Sequence, residues 1–407
     1  MSEQVETVII GGGQAGLTMS YHLSQLGREH IVLERGRIAE RWRSERWDSL
    51  AFQFPNWMMR LPGYSYESDD PEGFMHRDGV VGFIEEYARR IAPPIRCGIR
   101  VTGLDSSPKG RLLVQTDSFT LEAANVVLAT GPYQVPSVPA FGAALPFGTY
   151  QITANRYGNP GQLPLGNVLV VGSGGSGCQI AEDILRSGRG VYLSVGRHRR
   201  VPRRYRGKDF GWWQEKTGGS DRTVDSLAPD ALRPLLTGVR GGQDVDLRRL
   251  ARQGVTLVGR LRDISGGQLF FTGDLEENLA RGDEAFDQFT RLVDEFILEH
   301  GLAAPAEPQR DSSATVRSPI SSSIRDLDIK SAGITSVIWA TGYRYDFGWL
   351  MCPVLDASGR PVHRRGVTAV PGVYFLGLSR LHKVQSAFLW GVGEDAAYLA
   401  QHIATRK

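Results

Sequence analysis

With 407 residues, of which 41% are hydrophobic and 22% charged, the chain is long enough for two or three domains and has the balance of an ordinary globular protein. A formal net charge of +3 is too small to make nucleic acid or a membrane surface the main partner, and no apolar run is long enough to cross a bilayer. The three cysteines, Cys97, Cys178 and Cys352, form no C-x-x-C pair, the start "MSEQVETVII" has no leader-peptide pattern, and the histidines lack ligand spacing, so we expect a cytoplasmic location, no redox dithiol and no metal.

The first element is the β-branched run Val5 to Ile10, the pattern of a strand buried on both faces of a parallel sheet. It opens into "GGGQAG", where Gly11, Gly13 and Gly16 have G-x-G-x-x-G spacing with Gln14 and Ala15 between the last two. In that pattern the glycines give a tight turn, close backbone approach to a pyrophosphate and close packing of helix on strand. An amphipathic helix then runs to a C-cap at Gly27, and "HIVLE" forms a second strand ending at Glu34, with Arg35 beside it. An acid at this distance accepts from a ribose 2′-hydroxyl, so the site suits FAD or NAD. Further on, "NVVLATGPY" carries an apolar strand into a small-residue turn at Thr130 and Gly131, where the chain could pass between domains.

"VLVVGSGGSGCQIAEDIL" repeats the first turn with Gly172, Gly174 and Gly177, and with Ser173 and Ser176 inside it. Its following strand ends at Val195 and Gly196 with no acid. Instead "RHRRVPRRYRGK" holds seven Arg or Lys residues between Arg197 and Lys208, and an Arg in this place accommodates a 2′-phosphate. Arg197 is the nearest candidate, supported by Arg199 or Arg200, and the expected cofactor is NADPH; a solvated basic loop or a nucleic-acid patch are the alternatives. Between 211 and 332 two helices are expected, "DLRRLARQG" and "DEAFDQFTRLVDEFILEHG", the second with a stripe of Phe286, Phe289, Leu292, Val293, Phe296 and Ile297 that reads as packing. "APAEPQRDSSATVRSPISSS" reads as a loop that could serve as a lid. "SVIWATGYRYD" gives a second small-residue turn at Thr341 and Gly342. A closing helix is expected to begin near Gly393, its N-terminus turned toward the negative charge of a reduced flavin.

These segments, with "ERWRSERWDSLAFQFPNWMMRLPG" and "GVGEDAAYLA", resemble the class B flavin monooxygenases, including the YUCCA-type and other flavin-containing monooxygenases, over nearly the whole chain. The resemblance implies an α/β fold of two Rossmann-like dinucleotide-binding domains, the NADPH domain inserted in the FAD domain: residues 1–149 and 333–407 for FAD, 150–332 for NADPH with a helical insertion at about 211–332. It assigns Arg41 and Trp42 to the FAD site. It implies that NADPH reduces FAD, that O2 adds at the flavin C4a to give a (hydro)peroxyflavin, and that one oxygen passes to a small organic substrate by N-, S- or carbonyl and ring oxygenation. The family fingerprint F-x-G-x-x-x-H-x-x-x-Y/F/W aligns with "FGTYQITANRY", where Phe147 and Tyr157 match, Thr149 replaces the glycine and Thr153 the histidine. Tyr157 in place of Trp argues against a Baeyer–Villiger enzyme, and the lost imidazole at Thr153 puts the family's handling of NADP⁺ in question. Gln53 stands where many family members have an asparagine near C4a. The alternatives are a non-oxygenating NADPH oxidase or flavin-dependent dehydrogenase, a nucleotide-sensing protein, and a pyridine nucleotide-disulfide reductase, which the missing C-x-x-C disfavours. Amines, sulfides, oxo acids and heteroaromatic rings are all compatible as substrates, and a homodimer is left open.

Overall fold

Two β-branched runs each seed a sheet, the first mixed and the second wholly parallel. The computed structural model describes residues 3–106, 110–228, 230–306 and 324–406. In the first unit β1 (Glu3–Ile10) feeds α1 (Gln14–Gln25) and β2 (His30–Glu34), and α2 (Arg77–Ile91) leads to β3 (Ile95–Cys97). The hairpin of β4 (Val101–Ser106) and β5 (Leu112–Thr116) precedes β6 (Thr120–Leu128). The sheet order is β3-β2-β1-β6-β5-β4. Val8 and Ile9 of β1 are fully buried, because helices and neighbouring chain cover both faces of the sheet.

The second unit contains β7 (Tyr150–Thr153), β8 (Asn167–Val171), α3 (Gly175–Arg186), β9 (Val191–Ser194), α4 (Phe210–Lys216), α5 (Leu247–Arg252), β10 (Val255–Val258), α6 (Leu275–Glu299) and β11 (Ile334–Trp339). Its sheet order is β7-β11-β8-β9-β10 with every pair parallel. The chain then returns to the first unit, where β12 (Val373–Phe375) pairs with the end of β6 and α7 (Val392–Thr405) packs on α1.

Two expectations need correction. The return to the first unit does not begin at 333, since β11 is hydrogen-bonded between β7 and β8 in the second sheet; the crossing comes after Trp339. The segment 211–332 is not only helical either. It supplies β10 to the second sheet and a three-stranded antiparallel sheet from Leu261–Ser265, Gln268–Phe271 and Asp326–Asp328. Both expected helices form, as α5 and α6. On α6, Phe286, Phe289 and Val293 are buried, and Phe296 and Ile297 pack partly, while Leu292 is exposed. The expected lid loop lies largely outside the described residues, from 307 to 323.

The inserted unit is not a free bead. Phe210 and Trp213 of α4 and Phe289 and Val293 of α6 are buried in one cluster with Val8, Val126 and Leu399 of the first unit. The two strands that cross between the units also pair, Val135 and Pro136 running antiparallel to Tyr343 and Arg344. No described helix is long and apolar enough to cross a membrane.

Candidate cofactor and oxygen site

The two glycine turns are superimposable in their contacts. A Cβ on Gly11 would lie 2.5 Å from the Ala129 carbonyl oxygen, and one on Gly172 would lie 2.6 Å from that of Ala340. A Cβ on Gly16 or Gly177 would collide with the carbonyl of Gly11 or Gly172 respectively. Protein packing therefore explains four of the six glycines. It does not explain Gly13 or Gly174, whose backbones are ordinary extended ones and whose added Cβ would meet nothing within 4 Å. Each leaves an open cradle at a helix N-terminus, and a dinucleotide pyrophosphate approaching the bare backbone fits it.

At the end of β2, Glu34 accepts hydrogen bonds from the Gly12 N–H at 2.6 Å and the Gly36 N–H at 2.8 Å, which fix its carboxylate with lone pairs to spare for a ribose hydroxyl. Arg35 is exposed beside it. Gln14 donates to the Ala387 carbonyl at 2.7 Å, and Ala15 packs so closely on Gly377 that a Cβ there would reach it at 2.5 Å, so the last segment of the chain closes over the first turn. Sheet register supplies the comparison in the second unit. Leu33 pairs with Ile10 as Ser194 pairs with Val171, which puts Val195 where Glu34 stands. Ser173, at the position of Gly12, accepts from the Gly196 N–H at 3.1 Å, and Ser176 is exposed in the first turn of α3.

The basic loop separates its arginines. Arg197 is exposed and ion-paired with the equally exposed Asp230 at 2.7 Å. Arg200 is committed to Asp246 and Asp283 at 3.1 and 2.8 Å, and lies over the Phe286 ring, so its fork is structural and cannot support Arg197 as expected. Arg199 turns inward and is half-buried.

Both small-residue turns lie where the chain crosses between units, each behind a glycine turn. The Thr130 hydroxyl accepts from Gln134 at 2.8 Å, and the Thr341 hydroxyl donates to the Ser137 carbonyl, while Gly131 and Gly342 have φ of 76° and 89°. Arg41, on the short helix Glu40–Ser44, donates to the Tyr133 carbonyl at this crossing, and Trp42 lies under the Arg46 guanidinium and meets Phe52 edge-on. Helix α7 begins at Val392, close to the expected Gly393, but Gly393 has a packing reason of its own: a Cβ would lie 2.6 Å from Pro62.

Gln53 sits half-buried on a loop held from three sides. Phe52 N–H donates to the Met75 carbonyl at 2.7 Å, the Phe52 carbonyl presses on Gly238, and the Gln53 carbonyl accepts from Arg203 at 2.7 Å. The Gln53 amide itself has no hydrogen-bond partner among the described residues. Thr153, at the end of edge strand β7, spends its hydroxyl on Asn155 at 2.7 Å. Of the fingerprint, Phe147 is fully exposed, whereas Tyr157 is buried and donates to Asp183 at 2.7 Å; burial, then that carboxylate, raises its phenol above the usual range.

Sequence reasoning missed two parts. Arg203, 2% exposed, makes a two-pronged pair with the fully buried Asp209 while it holds Gln53, and nothing distinguished it from the other arginines of its run. Phe54, Phe388 and Trp390 form an aromatic wall beside the Gln53 loop, with ring centroids 4.5 to 5.4 Å apart. Phe54 stands more than 330 residues before the other two, so only the fold could join them. Among the described residues no cluster could hold a metal.

A family model described as pyridine nucleotide-disulphide oxidoreductase matches residues 8–208. An uncharacterized oxidoreductase of CzcO-like type from Geobacillus kaustophilus is 33% identical over 407 residues, covering 99% of each chain. The indole-3-pyruvate monooxygenase YUCCA1 of Oryza sativa is 31% identical over 185 residues, 44% of this chain and 45% of that one. Among solved structures, a flavin-containing monooxygenase from Stenotrophomonas maltophilia superimposes with a TM-score of 0.66 over 98% of each chain at 20% identity, a likeness of fold.

Proposed function

We propose that the chain, which belongs to the CzcO-like oxidoreductases, is a class B flavin monooxygenase that couples NADPH oxidation to transfer of one oxygen atom from O2 to a small organic substrate. The balance is substrate, O2, NADPH and H⁺ giving oxygenated product, NADP⁺ and water. FAD, when bound, supplies the electron relay and the activation of O2. The observation that carries the reading is the pair of open cradles at Gly13 and Gly174, two glycines without a protein reason and thus two dinucleotides on one chain.

The residues around them take the following parts. Gly11, Gly13, Gln14, Ala15 and Gly16 shape the FAD turn, Glu34 holds its ribose, and Arg41 and Trp42 flank it. Gly172, Ser173, Gly174, Ser176 and Gly177 cradle the NADPH pyrophosphate, and Arg197 reads the 2′-phosphate. Thr130, Gly131, Thr341 and Gly342 carry the two crossings past the cofactors. Gln53 offers an uncommitted amide to the oxygen site, able to donate and to accept. The apolar wall of Phe54, Phe388 and Trp390 keeps water from it.

The second reading, an NADPH oxidase that releases peroxide, is favoured by Thr153, whose hydroxyl is spent on Asn155 and cannot replace an imidazole. A dithiol relay is disfavoured because the cysteines lie apart, and burial pushes the Cys178 thiol up to about 12. The test is consumption of NADPH under ¹⁸O2 with a panel of amines, sulfides, oxo acids and heteroaromatic rings. Incorporation of one ¹⁸O per NADPH in any class is expected; release of all reducing equivalents as H2O2 across the panel would establish the oxidase.

A further inference from the structure

Four arginines from three separate stretches of chain meet between the two units without a carboxylate. Arg199 lies on the loop after β9, and its carbonyl accepts from the Leu235 N–H at 2.8 Å, while its own residue bridges to Pro234. Arg233, one position back on that strand, donates to the Tyr133 hydroxyl at 2.6 Å and to the Ser379 hydroxyl of the first unit. Arg380 donates to the Ala231 carbonyl at 2.6 Å, with φ of 56°, an uncommon conformation for a non-glycine residue. Arg222 is brought in by a short antiparallel pairing of 222–224 with 382–384, and donates to the Ser226 carbonyl at 2.7 Å.

None of the four has an ion pair among the described residues, and Arg199 has no hydrogen-bond partner for its side chain there either. The neighbouring acids are already engaged, Asp230 by Arg197 and Asp221 by Lys383. Burial lowers the proton affinity of Arg199, and the charges of Arg222 and Arg380 lower it further; burial and Arg233 do the same to Arg380. Arg222 and Arg233 are exposed, whereas Arg199 and Arg380 are half-buried, and it is these two whose uncompensated charge costs free energy that an anion would offset.

We propose that Arg199, Arg222, Arg233 and Arg380 receive the carboxylate of an acidic organic substrate, held between the two units next to the first turn. The proposal rests on the monooxygenase reading for the word substrate, though not for the binding of the acid. The NADPH 2′-phosphate is the other anion in reach, and on the proposed reading it binds elsewhere. It belongs at the end of β9, where Val195 replaces Glu34 and Arg197 points outward. Arg380 follows Gly377, which packs on Ala15, so this end of the cluster lies near the first glycine turn. A guanidinium takes a carboxylate through two parallel hydrogen bonds, and several around one anion would select the acid over its neutral amide.

The experiment titrates FAD-loaded protein with benzoate and 3-phenylpropionate, and with the two corresponding amides, following the flavin spectrum and the thermal midpoint. The acids are expected to bind saturably and the amides not. Arg222→Gln, an exposed change that leaves the fold alone, and Arg380→Gln should each weaken acid binding about tenfold or more, the share of a charge-assisted hydrogen bond. Arg380→Lys should recover part of it. Equal binding of acids and amides, or acid binding indifferent to these changes, would overturn the proposal. So would acids that compete with NADPH but not with NADH, or variants that lose their preference for NADPH, since the cluster would then read the cofactor phosphate. Acid binding that follows the arginines while ¹⁸O never enters any product would defeat the monooxygenase reading and leave the anion site standing.

Discussion

Gly13 and Gly16 are both glycines of one turn, yet substitution should act on them by different routes. A side chain on Gly13 enters open space, so Gly13→Val should fold, with a thermal midpoint close to that of wild-type protein stripped of flavin, and purify without yellow colour. A methyl on Gly16 strikes the Gly11 carbonyl, so Gly16→Ala should lose the fold itself. Flavin absorbance per chain and circular dichroism of the two proteins check this, and a Gly13→Val protein with full flavin content would remove FAD from that cradle. Arg197 raises a competition of magnitudes. Its pair with Asp230 is exposed on both sides and worth roughly 0 to 1 kcal/mol. A charge-assisted hydrogen bond to a 2′-phosphate is worth about 1.5 to 3 kcal/mol, so the phosphate wins. Arg197→Ala should therefore lower kcat/KM for NADPH at least about tenfold and leave NADH nearly unchanged, measured as steady-state oxidation of each. The glycines were legible because their spacing is local. The division of labour among Arg197, Arg199 and Arg200 was not, because it is set by Asp230, Asp246 and Asp283, each at least 33 residues away in sequence.

At the scale of elements, the loop carrying Gln53 owes its position to the inserted unit. Its carbonyl hangs on Arg203, whose pair with Asp209 is sealed from solvent, and Asp209 in turn caps α4 through the Gly211 N–H at 2.7 Å. Gln53→Ala touches only the free amide, so FAD content and anaerobic reduction by NADPH should persist while the H2O2 released per NADPH rises; an unchanged ratio would make Gln53 a lining residue. Arg203→Met acts on the strap instead, leaving Asp209 buried without its counter-charge. Breaking a buried pair from one side costs about 3 to 5 kcal/mol, which urea denaturation would read as a lower midpoint at similar slope. The elements themselves were well marked in sequence, down to the start of α7 and the stripe on α6, because period and caps are local. The membership of β11 was not, for "SVIWATG" reads as a strand but carries no sign of which sheet it joins.

For the whole molecule, insertion of one unit in the other reads as modular in sequence, but the packing denies it independence. Trp213, Phe289 and Val293 of the inserted unit lie in the core of the first, each at most 3% exposed. The paired crossings and the pair between Lys383 and Asp221 bind the units at further points. Excising residues 150–341 would bare those side chains as a contiguous apolar patch, of the kind that drives association in solution. The fragment should therefore aggregate on expression, whereas the full chain should unfold in one step, with flavin release, the near-ultraviolet signal and the far-ultraviolet signal changing together. Because a ligand that binds only the folded state stabilises it by mass action, added FAD should raise the common midpoint without splitting it. Parallel thermal melts of the full chain by flavin fluorescence and circular dichroism test the idea. Flavin release that precedes loss of secondary structure by a resolved transition, or a soluble, cooperatively folded fragment that binds NADPH, would show that the two units are separable and that the shared core does not couple them.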